Sequence, residues 1–230
     1  NTAPLTVLPT LLFYNRWQYK AKEQKPVIKK LDSKTVEATH KRLGTYYLYF
    51  QKPGDYFFTE NETNTEKLFD KPNKSVFVKD AFHDAVIQGK NLQMLRSKKT
   101  GTKFSPVYNL KLQGGETKTI YLRLSQELMK DPFANGFDAI FQQRKEEADE
   151  FYNDILPKNI SDDLKQIQRQ ALAGLLWSKQ YYHYDIERWI STTDDITPLL
   201  PQRMHGRNKH WQHLKNQDII LMPDKWEYPW

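Results

Sequence analysis

Tyr46-Tyr47-Leu48-Tyr49-Phe50 and Tyr56-Phe57-Phe58-Thr59, separated by Gln51-Lys52-Pro53-Gly54-Asp55, decide how the first half of this chain is read. Each run is short and rich in aromatic side chains. Pro and Gly between them break regular structure, so the pair reads as two β-strands joined by a turn. Outward from this centre the pattern repeats. Ser75-Val76-Phe77-Val78 and Asp84-Ala85-Val86-Ile87 read as further strands, the second closed by Gly89. Tyr108-Asn109-Leu110-Lys111-Leu112, Gly114-Gly115 and Thr119-Ile120-Tyr121-Leu122-Arg123-Leu124 give two alternating runs about a glycine turn, which predicts a hairpin. Strands at this spacing, punctuated by Gly and Pro, predict an antiparallel β-sandwich.

Near residue 133 the period lengthens from two to three or four. Phe137, Ile140, Phe141, Ala148, Phe151, Tyr152 and Ile155 share one helical face, Arg144 to Glu147 and Asp149-Glu150 take the other, and Pro157 stops the pattern. A second helix starts at Ser161, whose hydroxyl suits an N-cap, with Asp162 and Asp163 where the helix dipole favours anions. Its stripe is Leu164, Ile167, Ala171, Leu172, Leu175 and Trp177, and the helical reading extends through Tyr181 and Tyr182 to Trp189. Thr192 to Gly206 reads as a long irregular segment.

With 230 residues the chain can hold one large or two modest domains. Hydrophobic content is low at 38% while aromatic content reaches 13%, so cores are expected to rest on Phe, Tyr and Trp. The formal charge of +7 invites a polyanion reading, but the lysines gather on no periodic face beyond the cluster from Lys20 to Lys34. No nucleic-acid and no membrane partner is therefore expected. The absence of cysteine removes disulfides and thiolate metal sites and fits a cytoplasmic protein.

Phosphate-binding glycine loops and nucleophile elbows are missing, so nucleotide and serine-hydrolase chemistry lose their usual signatures. His205, His210 and His213 have a spacing seen in some metal sites, yet read as loop histidines, and no metal or other cofactor is expected. Glu60-Asn61-Glu62-Thr63-Asn64 reads as a loop braced by side-chain bonds to backbone, since Asn and Thr compete for backbone N–H groups, and His83 takes the same structural reading. The stretch Arg207 to Trp230 carries the functional signal. Trp211, Trp226, Tyr228 and Trp230 are ring platforms for the CH face of a sugar, and Asp224, Lys225 and Glu227 are partners for its hydroxyls. From residue types alone, an aromatic seam between packed helices explains the same stretch equally well. Asn1-Thr2-Ala3 at the start and Trp226-Glu227-Tyr228-Pro229-Trp230 at the end lead us to expect a piece of a longer polypeptide.

Several long words of the sequence support the sugar reading. They include Leu8 to Leu11, Leu43-Gly44-Thr45-Tyr46-Tyr47-Leu48-Tyr49, Phe58-Thr59-Glu60-Asn61-Glu62-Thr63-Asn64 and Val78-Lys79-Asp80-Ala81-Phe82-His83-Asp84. Others are Glu147 to Tyr152, Gln168 to Gln180 and Met222 to Trp230. These words resemble the bacterial and fungal branch of glycoside hydrolase family 63, whose relatives include processing α-glucosidases and mannosylglycerate hydrolase.

The resemblance implies an α+β multidomain protein. Residues 1–126 would form the β-sandwich domain, 127–160 a linker helix, and 161–230 the first part of a catalytic (α/α)6 barrel. It also implies an inverting hydrolase of α-linked glucosides or mannosides, with carboxyl groups roughly 6.5 to 9.5 Å apart. The general acid would be an Asp following the Tyr-Pro-Trp stretch and the base a Glu further on, so no catalytic residue is expected within the 230 positions. The expected partners are a carbohydrate substrate and the remainder of the same polypeptide. A non-catalytic carbohydrate-binding module is the alternative, followed by a polyanion-binding protein.

Overall fold

The computed structural model describes residues 2–18, 24–134, 136–191, 204–207 and 209–221. The protein is α+β, with antiparallel sheets and several helices. It divides into two compact units, Asn1–Ala134 and Asn135–Trp230.

In the first unit the chain runs through β1 (Ala3–Val7), β2 (Leu11–Leu12), β3 (Val27–Lys30), β4 (Thr35–His40), β5 (Gly44–Phe50) and β6 (Asp55–Thr59). Three short helices follow, α1 (Thr65–Phe69), α2 (Ala81–Gln88) and α3 (Leu92–Ser97), and then β7 (Thr100–Gly101), β8 (Lys103–Leu112) and β9 (Leu122–Ser125). One sheet has the order β7-β3-β4-β5-β9; in the other, the long β8 pairs with β1, β2 and β6. The two aromatic runs that open the sequence reading are β5 and β6. They belong to different sheets, so Pro53 and Gly54 carry the chain from one to the other rather than closing a hairpin.

Both sheets contribute to one core. Ile28, Val36, Ala38, Leu48 and Phe50 from the five-stranded sheet meet Phe58 and Phe104 from the other. Phe50, Phe58 and Phe104 are fully buried, with ring centroids 5.4 Å (Phe50–Phe104) and 4.7 Å (Phe58–Phe104) apart. Each such ring contributes about 1.5–3 kcal/mol by leaving water. A second cluster of Phe57, Phe77, Phe82, Ala85, Leu95 and Val107 sits where α2 and α3 cover β6 and β8. The tight β4–β5 connection holds Gly44 at φ 79°, while the His40 Nδ1 accepts the N–H groups of Arg42 and Leu43.

Three sequence expectations change here. Asp84 to Ile87 is not a strand: it lies within α2, where Phe82 and Ala85 face inward one turn apart and Gly89 ends the helix at φ 65°. Ser75 to Val78 is an irregular segment, anchored by the Glu60 N–H donating to the Phe77 carbonyl. Gly114 and Gly115 do form a turn, but Leu122–Ser125 pairs with β5 in register Tyr47↔Ser125, not with β8. A short alternating run pairs wherever its apolar face is buried best, and beside β5 Leu122 packs against the core that Leu48 and Phe50 help to form.

The second unit contains α4 (Phe137–Ile155), α5 (Asp162–Trp177), β10 (Lys179–Asp185), α6 (Ile186–Ser191) and β11 (Lys215–Leu221). Ser161 caps α5 by accepting the Leu164 N–H, with Asp162 and Asp163 in the first turn. Arg169 of α5 ties to α4: its Nη1 donates to Asp149 Oδ1 at 2.5 Å and its guanidinium lies 4.7 Å from the Tyr152 ring centre. Leu156, Ile186 and Ile190 are buried. The apolar positions of α4 and α5 are largely open, with Phe141, Phe151, Ile167 and Leu176 all more than half exposed. The helix expected through Tyr181 to Trp189 is instead a strand followed by a short helix, because β11 supplies an antiparallel partner for Lys179–Asp185. Among the described residues no helix is long and apolar enough to cross a membrane.

Candidate functional site

Of the stretch Arg207 to Trp230, to which the sequence assigns function, residues 207 and 209–221 are described, and their strand β11 pairs with β10, which lies outside that stretch. Alternation decides the chemistry of this β10–β11 hairpin. Register pairs Tyr181 with Ile219 and His183 with Gln217, so these four side chains share one face. Tyr181 is 59% exposed and Ile219 71%. The Tyr181 and His183 rings lie 5.8 Å apart, and Gln217 Nε2 donates to the Tyr181 hydroxyl, which fixes the phenol ring across the pair. On the opposite face Tyr182 and Tyr184 stack at 6.1 Å. The sequence reading missed this hairpin because Tyr-Tyr-His-Tyr continues α5 without a Gly or Pro. The available signal was the β preference of four successive ring side chains.

Trp211 stands at the foot of the same hairpin. A turn in which the Leu214 N–H donates to the Trp211 carbonyl at 2.8 Å leads into β11, and the Leu214 carbonyl in turn accepts the Ile186 N–H. The indole is 53% exposed, with the His213 ring 5.7 Å away at 31°. Lys215 Nζ bonds Glu187 Oε2 at 2.6 Å, pinning the first residue of β11 to α6. Exposed rings held on a paired strand and a short turn can stack on the apolar face of a flat ligand. The other residues assigned to the site, Asp224, Lys225, Trp226, Glu227, Tyr228 and Trp230, lie outside the described residues. Among the described residues His205, His210 and His213 do not join a group of three potential metal ligands.

The acidic loop of the first unit is a brace. Glu62 is 3% exposed, and its Oε1 accepts Trp17 Nε1 at 2.9 Å and Lys25 Nζ at 3.1 Å while its Oε2 accepts Ser75 Oγ at 3.2 Å. Lys25 also reaches Glu60 Oε2 at 3.0 Å, the same atom that accepts the Thr102 hydroxyl. Burial pulls the Lys25 ammonium down, but its bonds and attraction to Glu60 and Glu62 outweigh this and raise it above the ordinary lysine value. Next along the loop, Asn64 caps α1 through the Lys67 N–H and donates to Asp80 Oδ2. Asn73 Oδ1 accepts both the N–H and the hydroxyl of Thr65. A carboxylate with three donors fixed on it orders loops; it has little freedom to act as acid or base. His83 lies on the exposed side of α2.

An α+β chain with two antiparallel sheets over one core and an aromatic hairpin in its second unit is the class that sequence and structure define. The chain is similar to the uncharacterized protein YMR196W of Saccharomyces cerevisiae, 35% identical over 267 residues, an alignment covering all of this chain and 24% of the yeast protein. The chain thus spans about a quarter of the length of that relative. No family model matches the chain, and no solved structure matches it.

Proposed function

We propose that the chain belongs to a glycoside hydrolase of the family 63 kind, acting on an α-linked glucoside or mannoside with inversion. The observation that carries this reading is the open face of the β10–β11 hairpin, where Tyr181, His183 and Ile219 are presented together, with Trp211 exposed at the hairpin's foot. Rigid rings with nitrogen and hydroxyl donors beside them suit a pyranose, whose CH face needs an apolar surface and whose hydroxyls need partners at its edge. The long sequence words that resemble that family support the same reading. In it, α5 and the hairpin begin an (α/α)6 barrel. The exposed stripe of Leu164, Ile167, Leu175 and Leu176 would then be covered by helices of the longer protein. Trp226, Tyr228 and Trp230 would extend the ring surface toward the acid, and Asp224, Lys225 and Glu227 would meet hydroxyls.

The test compares the 230-residue chain with its full-length parent on 4-nitrophenyl α-glucoside and α-mannoside. The parent should release nitrophenol and the 230-residue chain should not. Tyr181→Ala and Trp211→Ala in the parent should lower kcat/KM by roughly ten-fold each, the value of about one ring contact. Hydrolysis by the 230-residue chain alone would sink the proposal, as would a parent inactive on every α-glycoside tried. Glycan binding without turnover would instead indicate a non-catalytic carbohydrate-binding module.

A further inference from the structure

The first unit holds a cleft of about 180 Å³ between the strands β1, β6 and β8 and the helices α2 and α3. At ~30 Å³ per water this is the space of about six waters, well below the 300 Å³ or more of sites for drug-sized ligands. Its floor is apolar: Phe57 and Val107 come from adjacent strands, and Ala85 and Leu92 from the helices above them. Two polar pairs border it. On one side Arg96 Nε donates to Asp55 Oδ2, whose other oxygen accepts the Tyr56 N–H, so the carboxylate is fixed by its own backbone. On the other side Thr6 Oγ1 donates to Asn109 Oδ1 at 2.9 Å across the β1–β8 register, which engages the amide oxygen and leaves the nitrogen as the donor end of a side chain that lines the cleft.

From this arrangement we infer that the cleft is a binding site for one neutral saccharide ring or similar small polyol, in a unit separate from the β10–β11 hairpin. Charge selects the ligand class. Asp55 and Arg96 lie together as an ion pair, so for a ligand of either charge attraction to one is offset by repulsion from the other and a full charge gains nothing. A neighbouring pair of hydroxyls meets no such conflict: one donates to Asp55 while the next accepts from the terminal amino groups of Arg96, which the Nε contact leaves available. Asn109 offers a third hydrogen bond from the far rim, and the apolar floor takes the CH face of the ring. Burying that floor under a ring also removes from water the apolar surface that the cleft leaves open.

The site does not depend on the hydrolase reading, because it is tested by binding and not by turnover. Methyl α-D-glucopyranoside and methyl α-D-mannopyranoside are titrated into the 230-residue chain while methyl resonances of Val86, Leu92 and Val107 are followed by NMR. At least one glycoside should shift them saturably with a millimolar midpoint. Arg96→Met should weaken binding by about ten-fold or more, the value of a hydrogen bond to a charged group. Val86→Trp, at a partly exposed position on the cleft edge, should abolish it with the rest of the spectrum unchanged. No saturable shift with either glycoside overturns the inference. Acetate or phosphate shifting the same methyls at lower concentration overturns it too, since the site would then select charge.

Discussion

Replacing Glu62 by alanine removes the acceptor on which three donors converge, and the cost can be worked from the contacts. Trp17 Nε1 and Ser75 Oγ each lose a hydrogen bond to a charged oxygen in a partly buried setting, about 1.5–3 kcal/mol apiece. Lys25 loses less. Its side chain is 40% exposed and keeps Glu60 at 3.0 Å, so water and the second carboxylate take it back. The sum before relaxation is about 3–6 kcal/mol, and partial rehydration of the indole and hydroxyl sets the expected loss at about 3–4 kcal/mol. Glu62→Gln keeps one acceptor and the shape, and should cost about 1–2 kcal/mol. Lys25→Met removes a half-exposed cation and should cost about 1 kcal/mol or less.

The assay is urea denaturation of the 230-residue chain followed at the Trp17 indole N–H resonance, which reports the first unit without the other five tryptophans. The order Glu62→Ala, Glu62→Gln, Lys25→Met in decreasing cost tests the geometry more sharply than any single value. A loss below about 1 kcal/mol for Glu62→Ala, within the range of ordinary surface substitutions, would show that the brace is not what orders this loop.

Gly101→Ala should destabilise the first unit by about 1–3 kcal/mol or prevent its folding, because the new Cβ would sit 2.5 Å from the Thr59 carbonyl oxygen; an unchanged thermal midpoint counts against that close approach. Ser161→Ala should cost about 1 kcal/mol through loss of the α5 cap, read as reduced protection of the Leu164 amide in hydrogen exchange; equal protection refutes the cap. Stability should fall as pH rises from 10 to 12. Burial pushes the Tyr108 hydroxyl from 10.0 up to about 12, and the Lys25 ammonium also stands above its ordinary 10.5. Both groups hold their protons longer folded than unfolded, so their contribution is complete below the unfolded values and disappears as pH climbs through the folded ones. Denaturant midpoints at pH 9 and pH 11.5 check this. Tyr108→Phe, which also removes the hydroxyl's bond to the Gln51 carbonyl, should flatten the decline.

What the sequence alone settled was local. The strands at Tyr46–Phe50, Tyr56–Thr59 and Tyr108–Leu112 follow from side-chain type and turn residues, and α4 and α5 from a three-to-four spacing with Pro157 after the first and Ser161 at the start of the second. Each of these signals is contained within a few residues, so no distant partner is needed to read it. Tertiary structure decided the rest. Leu122–Ser125 crosses to β5 instead of returning beside β8, Asp84–Ile87 folds as a helix because Phe82 and Ala85 are drawn into a core with Phe57, and Tyr181–Tyr184 becomes a strand once Lys215–Leu221 lies against it. Short apolar runs of this kind satisfy either period, and the choice falls to whichever arrangement buries the side chains and pairs the backbone. The candidate site divides the same way: of its exposed rings only Trp211 was singled out by residue type, whereas the face that Tyr181 and His183 share with Gln217 and Ile219 exists only through pairing across some thirty intervening residues.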